Sequence, residues 1–259
     1  MTGLAWLGHA TVVLDLDGVR VVTDPLLLRH AGLLRRRGPM PTEESWAGAD
    51  LVLISHLHHD HAELGSLRRL GDLPVVTAPA NAHWLRRNGI AGAVGLHDGD
   101  WYEAGPLHVR LVPAVHGHRP MPHRPNATNG HLVRGPSGTV WVAGDTEPFH
   151  GMALLPERAG APVDLAIVPV GGWGPRLSGG HMDPVQAARA CAVVGARHAL
   201  AVHWGTLHAP ISRSLPPGWM NVPGVTFGVA LRRLAPGCRN VGLLPGERVE
   251  LDLRGDAAA

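Results

Sequence analysis

Five side chains able to hold a metal ion fall within six residues: His56, His58, His59, Asp60 and His61. On an extended segment residues i and i+2 point to the same side, so His56 and His58 can hold one ion together. Asp60 and His61 come after the chain turns into a helix and point elsewhere, which suits two adjacent ions better than one. His59 is the odd member and faces away. The competing reading is a solvated, weakly chelating His-rich loop. An apolar strand immediately before the cluster, and an Asp among the histidines, argue against it.

The elements that must position these residues are legible. Leu51 to Ile54 is a short apolar run of buried-strand type, and Ala62 to Leu70 carries apolar residues at helical spacing. Thr11 to Leu16 and Val19 to Thr23 flank Asp17-Gly18, a hairpin signature. That hairpin ends at Asp24, which either points into a site at the sheet edge or caps a turn. Further strands are read at 74–78, 107–113, 130–134, 139–143, 165–169 and 198–202, with helices at 80–88, 184–194 and near 225–234. Asp183 and Pro184 mark the start of the second of these helices. Residues 26–48 read as a long loop with an arginine triplet, Arg35 to Arg37. It is either a basic, greasy lip for an anionic or lipid-like substrate or a solvated loop whose leucines pack locally.

The 259 residues suit one layered α/β domain over 1–259. With 45% hydrophobic and 17% charged residues the composition is globular. A formal charge of +2, carried by Arg with no Lys, does not call for a nucleic-acid partner. Two cysteines cannot staple a chain of this size, which predicts a reducing compartment. The N-terminus shows no basic stretch followed by an apolar one, and no run reaches the length of a membrane span. A cytoplasmic protein is expected.

Polar residues recur at strand ends: Asp24, His56, His116, Asp145 and His203. Strand ends of one sheet lie side by side, so these residues can converge on one edge. The simplest assignment gives one ion to His56, His58 and His116, a second to Asp60, His61 and His203, and makes Asp145 the bridge. Two divalent ions are expected, zinc first, with manganese or iron compatible with the same N/O donors. A hydroxide between the ions would be the nucleophile, with Asp60 orienting it.

The motifs Trp6-Leu7-Gly8-His9-Ala10-Thr11, Thr23-Asp24-Pro25, Ser55 to His61, Pro113 to His116, Ala143 to Thr146, His181 to Pro184 and His203 to Thr206 come in one order along nearly the whole chain. In this the chain resembles the metallo-β-lactamase-fold hydrolases. Within them it is similar to the branch of N-acylphosphatidylethanolamine-hydrolysing phospholipase D and ascorbate-6-phosphate lactonase-like proteins. The resemblance implies a four-layer αββα sandwich with a two-metal site at one sheet edge and the ligands named above. It sets Asp24 behind those ligands and His9 in a structural or supporting role. It also makes His181 a contact to substrate or transition state; the alternative for His181 is a plain helix-entry residue. The segment after His116, from Gly117 to Arg124, has its own composition, so the lipid substrate does not carry over with the fold.

The leading expectation is a dinuclear metal-dependent hydrolase of a phosphodiester, a phospholipid type among the candidates, with Asp60 and His181 in catalysis. The alternative is a lactonase or carboxylic-ester hydrolase on a small, phosphorylated or unphosphorylated metabolite. A small-molecule or lipid ester is the expected partner, with peripheral membrane contact through the 26–38 loop. A nuclease would need a basic arm the chain does not show. A metal-binding sensor without catalysis is the contrasting class.

Overall fold

In the computed structural model of the protein, residues 1–117, 123–125 and 127–255 are described. The segment singled out after His116 lies partly outside them. In chain order the elements are β1 (Thr2–Gly8), β2 (Thr11–Leu16), β3 (Val19–Thr23), β4 (His30–Ala31), β5 (Leu34–Arg36), β6 (Leu51–Leu53), α1 (Leu64–Leu70), β7 (Val75–Thr77), α2 (Pro79–Arg87), β8 (Ala93–Gly95), β9 (Tyr102–Ala104) and β10 (Leu107–Pro113). There follow β11 (Asn129–Gly135), β12 (Gly138–Val142), α3 (Leu155–Ala159), β13 (Leu165–Pro169), α4 (Pro184–Val194), β14 (His198–Val202), β15 (Leu207–His208), α5 (Val222–Leu234), β16 (Arg239–Asn240) and β17 (Arg248–Leu251).

Two seven-stranded sheets result, ordered β17-β1-β2-β3-β6-β7-β8 and β16-β14-β13-β12-β11-β10-β9. The alternation of side chains along each strand builds the layers. On β6, Leu51 and Leu53 enter the core shared by both sheets, while Val52 and the following Ile54 pack with Leu67, Ala82 and Leu85 beneath α1 and α2. On β1, Leu4 and Trp6 face that shared core, while Ala5 and Leu7 face the other way. The strands of β13 and β14 are buried throughout, with α4 and α5 packed on one another outside them. Helices cover the outer faces of two stacked sheets, which is the expected αββα sandwich.

The hairpin of β2 and β3 turns at Asp17 (φ 51°) and Gly18 (φ 83°), two left-handed residues as a two-residue turn demands. Helix α4 starts as its sequence specifies: Asp183 accepts from the backbone N–H groups of Val185 and Gln186, and the Gln186 side chain accepts from the Asp183 N–H.

The region 26–48 differs from the expected long loop. Strands β4 and β5 form a hairpin, and β5 pairs with β15, setting Leu207 opposite Arg36 and His208 opposite Arg35. Leu26, Leu27 and Ala31 are buried. Arg36 is buried too; its guanidinium donates to the carbonyls of Leu7 and Leu26, and burial pushes its pKa down to about 10. It therefore locks this hairpin to the end of β1 and is not part of a basic rim. Arg37 donates to Asn221. No helix among the described residues is long and apolar enough to cross a membrane.

Candidate metal centre

The chain from Ser55 to Glu63 leaves β6 and folds over the strand ends. His61 N–H and Ala62 N–H both donate to the His58 carbonyl, at 3.1 and 2.9 Å. Helix α1 begins only at Leu64, capped by the Glu63 carboxylate. Asp60 and His61 thus sit in a tight turn before the helix, which starts two residues later than Ala62, where the sequence placed it. His56, His58, Asp60 and His61 all turn towards one centre, where the His56 ring lies 4.2 Å from that of His61 and 4.4 Å from that of His58.

His56, His58 and His116 bring ring nitrogens within metal-sharing distance of one another, and so do Asp60, His61 and His203 together with His9. Asp145 joins the two sets. Its Oδ2 lies 3.2 Å from Nε2 of each of His61, His203 and His181. The same atom lies 3.8 Å from Nε2 of His116 and 4.0 Å from Nε2 of His56. Every residue expected from the sequence to hold an ion is in this one cluster. His59 is outside it, half-buried beside His123 at a ring distance of 6.4 Å.

The donor set fits cations. Nδ1 of His116 donates to the Gly180 carbonyl at 2.7 Å, Nδ1 of His203 to the Gly171 carbonyl at 2.9 Å, and Nδ1 of His181 to the Ser178 carbonyl at 3.1 Å. Nδ1 of His61 donates to Asp24 Oδ2 at 2.8 Å, and Nδ1 of His56 to the Ser55 hydroxyl at 3.0 Å. With the proton on Nδ1, each Nε2 presents a lone pair to the centre. Nε2 of His61 and Nε2 of His203 face each other at 3.1 Å, two acceptors with no proton to share in that tautomer. Nε2 of His56 and Oδ1 of Asp145 are buried with no hydrogen-bond partner. Buried lone pairs converging in this way are satisfied by a cation.

Electrostatics say the same for the ion-free protein. Burial opposes charge on His61, but the Asp145, Asp24 and Asp60 carboxylates outweigh it and hold its pKa well above the usual imidazole value. Burial works against ionised Asp145 as well, yet His203, His61 and His181 keep its pKa well below the usual carboxylate range. Burial keeps His58 down to about 4 and His9 down to about 3. A proton on His61 balances the carboxylates until a metal does.

Backbone geometry is set by the same contacts. Among the described residues four non-glycine residues adopt positive φ; apart from Asp17 of the hairpin turn they are His9 (53°), Asp24 (37°) and His203 (65°), all at this centre. Such conformations persist only where the surroundings over-determine them. Gly144 (φ 63°) precedes Asp145, and a Cβ there would lie 2.7 Å from the Ser55 Cβ. Gly180 (φ 82°) would bring a Cβ to 2.9 Å from Nδ1 of His116. Glycine is required at both.

Two parts of the site escaped the sequence. Ser55 donates to Asp24 Oδ2 at 2.7 Å while accepting from His56, tying two of the site residues together. The loop 171–180 supplies carbonyls to three histidines at once. Its glycines were visible, but backbone acceptors leave no side-chain signature. His181, read as a contact to substrate or transition state, lies at this centre, where it is grouped with His116 and Asp145.

Sheet topology and centre together define a class of protein. Residues 19–204 match the beta-lactamase superfamily domain, and the chain belongs to that family. It is 31% identical over 226 residues to N-acyl-phosphatidylethanolamine-hydrolyzing phospholipase D 1 of Caenorhabditis elegans, covering 78% of this chain and 63% of that protein, so the chain spans less than two thirds of that relative's length. A metal-dependent hydrolase of Nitratidesulfovibrio vulgaris is 28% identical over 258 residues, covering 97% of this chain and 96% of its own. Among solved structures, a metallo hydrolase from the archaeon Ignicoccus hospitalis superposes with a TM-score of 0.73 at 22% identity, over 96% of this chain and 97% of the other. That likeness bears on the fold.

Proposed function

We propose that the protein is a dinuclear metal-dependent hydrolase that cleaves a phosphodiester, of a small molecule or a lipid. The observation that carries this reading is the position of Asp145, whose carboxylate stands between the His56, His58, His116 set and the Asp60, His61, His203 set. The phospholipase D name of the nematode relative supports the bond class.

In this reading His56, His58 and His116 would hold one ion and Asp60, His61 and His203 the other, with the Asp145 carboxylate available to both sets. Two divalent ions there, zinc first and manganese or iron also suited to the donors, would polarise the ester oxygen and lower the pKa of the attacking water. The chain does the rest by positioning. Asp24 and the 171–180 carbonyls fix the tautomers that leave Nε2 free. Oδ2 of Asp60 accepts from His9 and faces His61 and His203 in the ligand set, which would leave Oδ1 for a proton of the attacking water. His181 holds its Nδ1 proton on the Ser178 carbonyl and turns Nε2 inward. In the ion-free protein burial lowers its pKa, but adjacent Asp145 raises it more, to above the ordinary value. In this reading Nε2 of His181 would face the leaving oxygen of the ester.

The test is hydrolysis of bis(4-nitrophenyl) phosphate by protein reloaded with zinc or manganese, with Asp145→Asn alongside. Turnover that the variant loses supports the phosphodiesterase. Two bound metals without turnover of any diester overturns that bond class and moves lactones and carboxylic esters to the front.

A further inference from the structure

The turn from Leu57 to Ala62 carries residues of both ligand sets: His58 belongs to one, Asp60 and His61 to the other. Its own backbone closes it only in part. The N–H groups of His61 and Ala62 share the His58 carbonyl. The carbonyls of Leu57 and Ala62, at the two ends of the turn, receive no backbone N–H among the described residues. Both residues are buried, and a buried carbonyl without a donor is costly. One side-chain nitrogen serves the two. Nη1 of Arg124 donates to the Leu57 carbonyl at 2.7 Å and to the Ala62 carbonyl at 3.2 Å, from 67 and 62 residues away in sequence.

Arg124 is delivered by the connection from β10 to β11, the same connection that carries His116. That connection is fastened to α2. Trp84 Nε1 donates to the His123 carbonyl at 2.7 Å, and Asn81 donates to the Ala127 carbonyl at 3.0 Å. The Arg124 guanidinium lies over the Trp84 ring, its Cζ 4.7 Å from the centroid. Stacking occupies a face of the guanidinium and leaves its N–H groups for the turn. At the far end of the connection the Asn129 N–H donates to the Ser55 carbonyl at 3.0 Å, two residues before Leu57. The last residue of the Gly117 to Arg124 segment thus serves the turn that bears the ligands.

We propose that Arg124 is a positioning residue for the metal centre: it clamps the two ends of the Leu57 to Ala62 turn and so sets where His58, Asp60 and His61 present their ligand atoms. The inference rests on the reading of this centre as a metal site. Because the turn contributes to both sets, loss of the clamp weakens the two ions together.

The experiment compares the intact chain with Arg124→Met and Arg124→Lys. Methionine keeps an unbranched stem against Trp84 and removes the donors. Lysine restores a cationic donor on a single nitrogen, which is what the turn uses. Cobalt(II) is titrated into metal-free protein against a chelator and followed by its visible ligand-field bands. Arg124→Met should bind both ions about 10- to 100-fold more weakly, as when a group that orients a ligand is lost. Arg124→Lys should regain most of that.

A second readout needs no metal: amide hydrogen exchange of the ion-free proteins. The His61 and Ala62 amides should exchange about tenfold faster in Arg124→Met, close to the wild-type rate in Arg124→Lys, with the β13 amides unchanged in both. Faster exchange in the turn that lysine reverses supports the clamp even if the wild type takes up no cobalt, a result that would sink the metal reading alone. Wild-type cobalt affinity and wild-type exchange in Arg124→Met overturn the inference. So does a loss that lysine leaves uncorrected and that extends to β13, since Arg124 then supports the fold at large and not the turn.

Discussion

Nε2 of His9 donates to Oδ2 of Asp60 at 2.9 Å while the His9 ring lies over that of His203, centroids 3.9 Å apart. His9 is wholly buried, its N–H is held by the Thr206 hydroxyl, and its carbonyl accepts from the Trp6 indole and from the His203 N–H. It grips Asp60 and His203 from behind. His9→Ala should weaken binding of the more loosely held metal by about 10- to 100-fold, the usual penalty for losing a group that orients a ligand. His9→Gln, which keeps a donor, should recover part of it. Chelator competition measures the affinity, and far-UV circular dichroism shows whether the fold is intact.

Ser55 should matter more than a loop serine. Ser55→Ala leaves Asp24 Oδ2 short of a donor and Nδ1 of His56 without an acceptor, both buried. A loss of roughly 1–3 kcal/mol in urea unfolding is expected, with weaker metal binding by the His56 set. Unchanged stability and unchanged affinity would remove Ser55 from the support of the site.

The arginine triplet separates by burial. Arg36→Ala strands the Leu7 and Leu26 carbonyls and should cost about 3 kcal/mol or more. Arg35→Ala, at an exposed position, should fall within about 0.5 kcal/mol of wild type. Urea midpoints at constant m-value decide this.

His131 gives the ion-free protein an acid sensitivity. Burial holds its pKa down to about 4, against a weaker upward pull from Asp24. Below pH 6.5 the unfolded chain takes a proton there that the folded chain refuses. Stability therefore falls as pH drops from about 6.5 towards 4, by up to about 3 kcal/mol, and this contribution is constant below that. His61, held well above its usual pKa, acts with the opposite sign. The comparison is thus between wild type and His131→Gln after chelator treatment. The variant should lose less stability over that pH range.

The sequence by itself determined what local rules govern. Alternation along the strands, the Asp17-Gly18 turn and the Asp183-Pro184 helix start depend on neighbours a few residues apart, and each formed as read. Only the tertiary structure decided the rest. The 26–48 stretch became a hairpin because β5 found β15 far along the chain, and Arg36 is buried because two distant carbonyls receive it. Three imidazoles owe their tautomers to carbonyls of one glycine-rich loop. Asp145 stands at the centre because β12 runs beside β13 and β13 beside β14. Backbone acceptors carry no side-chain identity, and long-range pairing carries no local period. Chain folding alone brings them to the site.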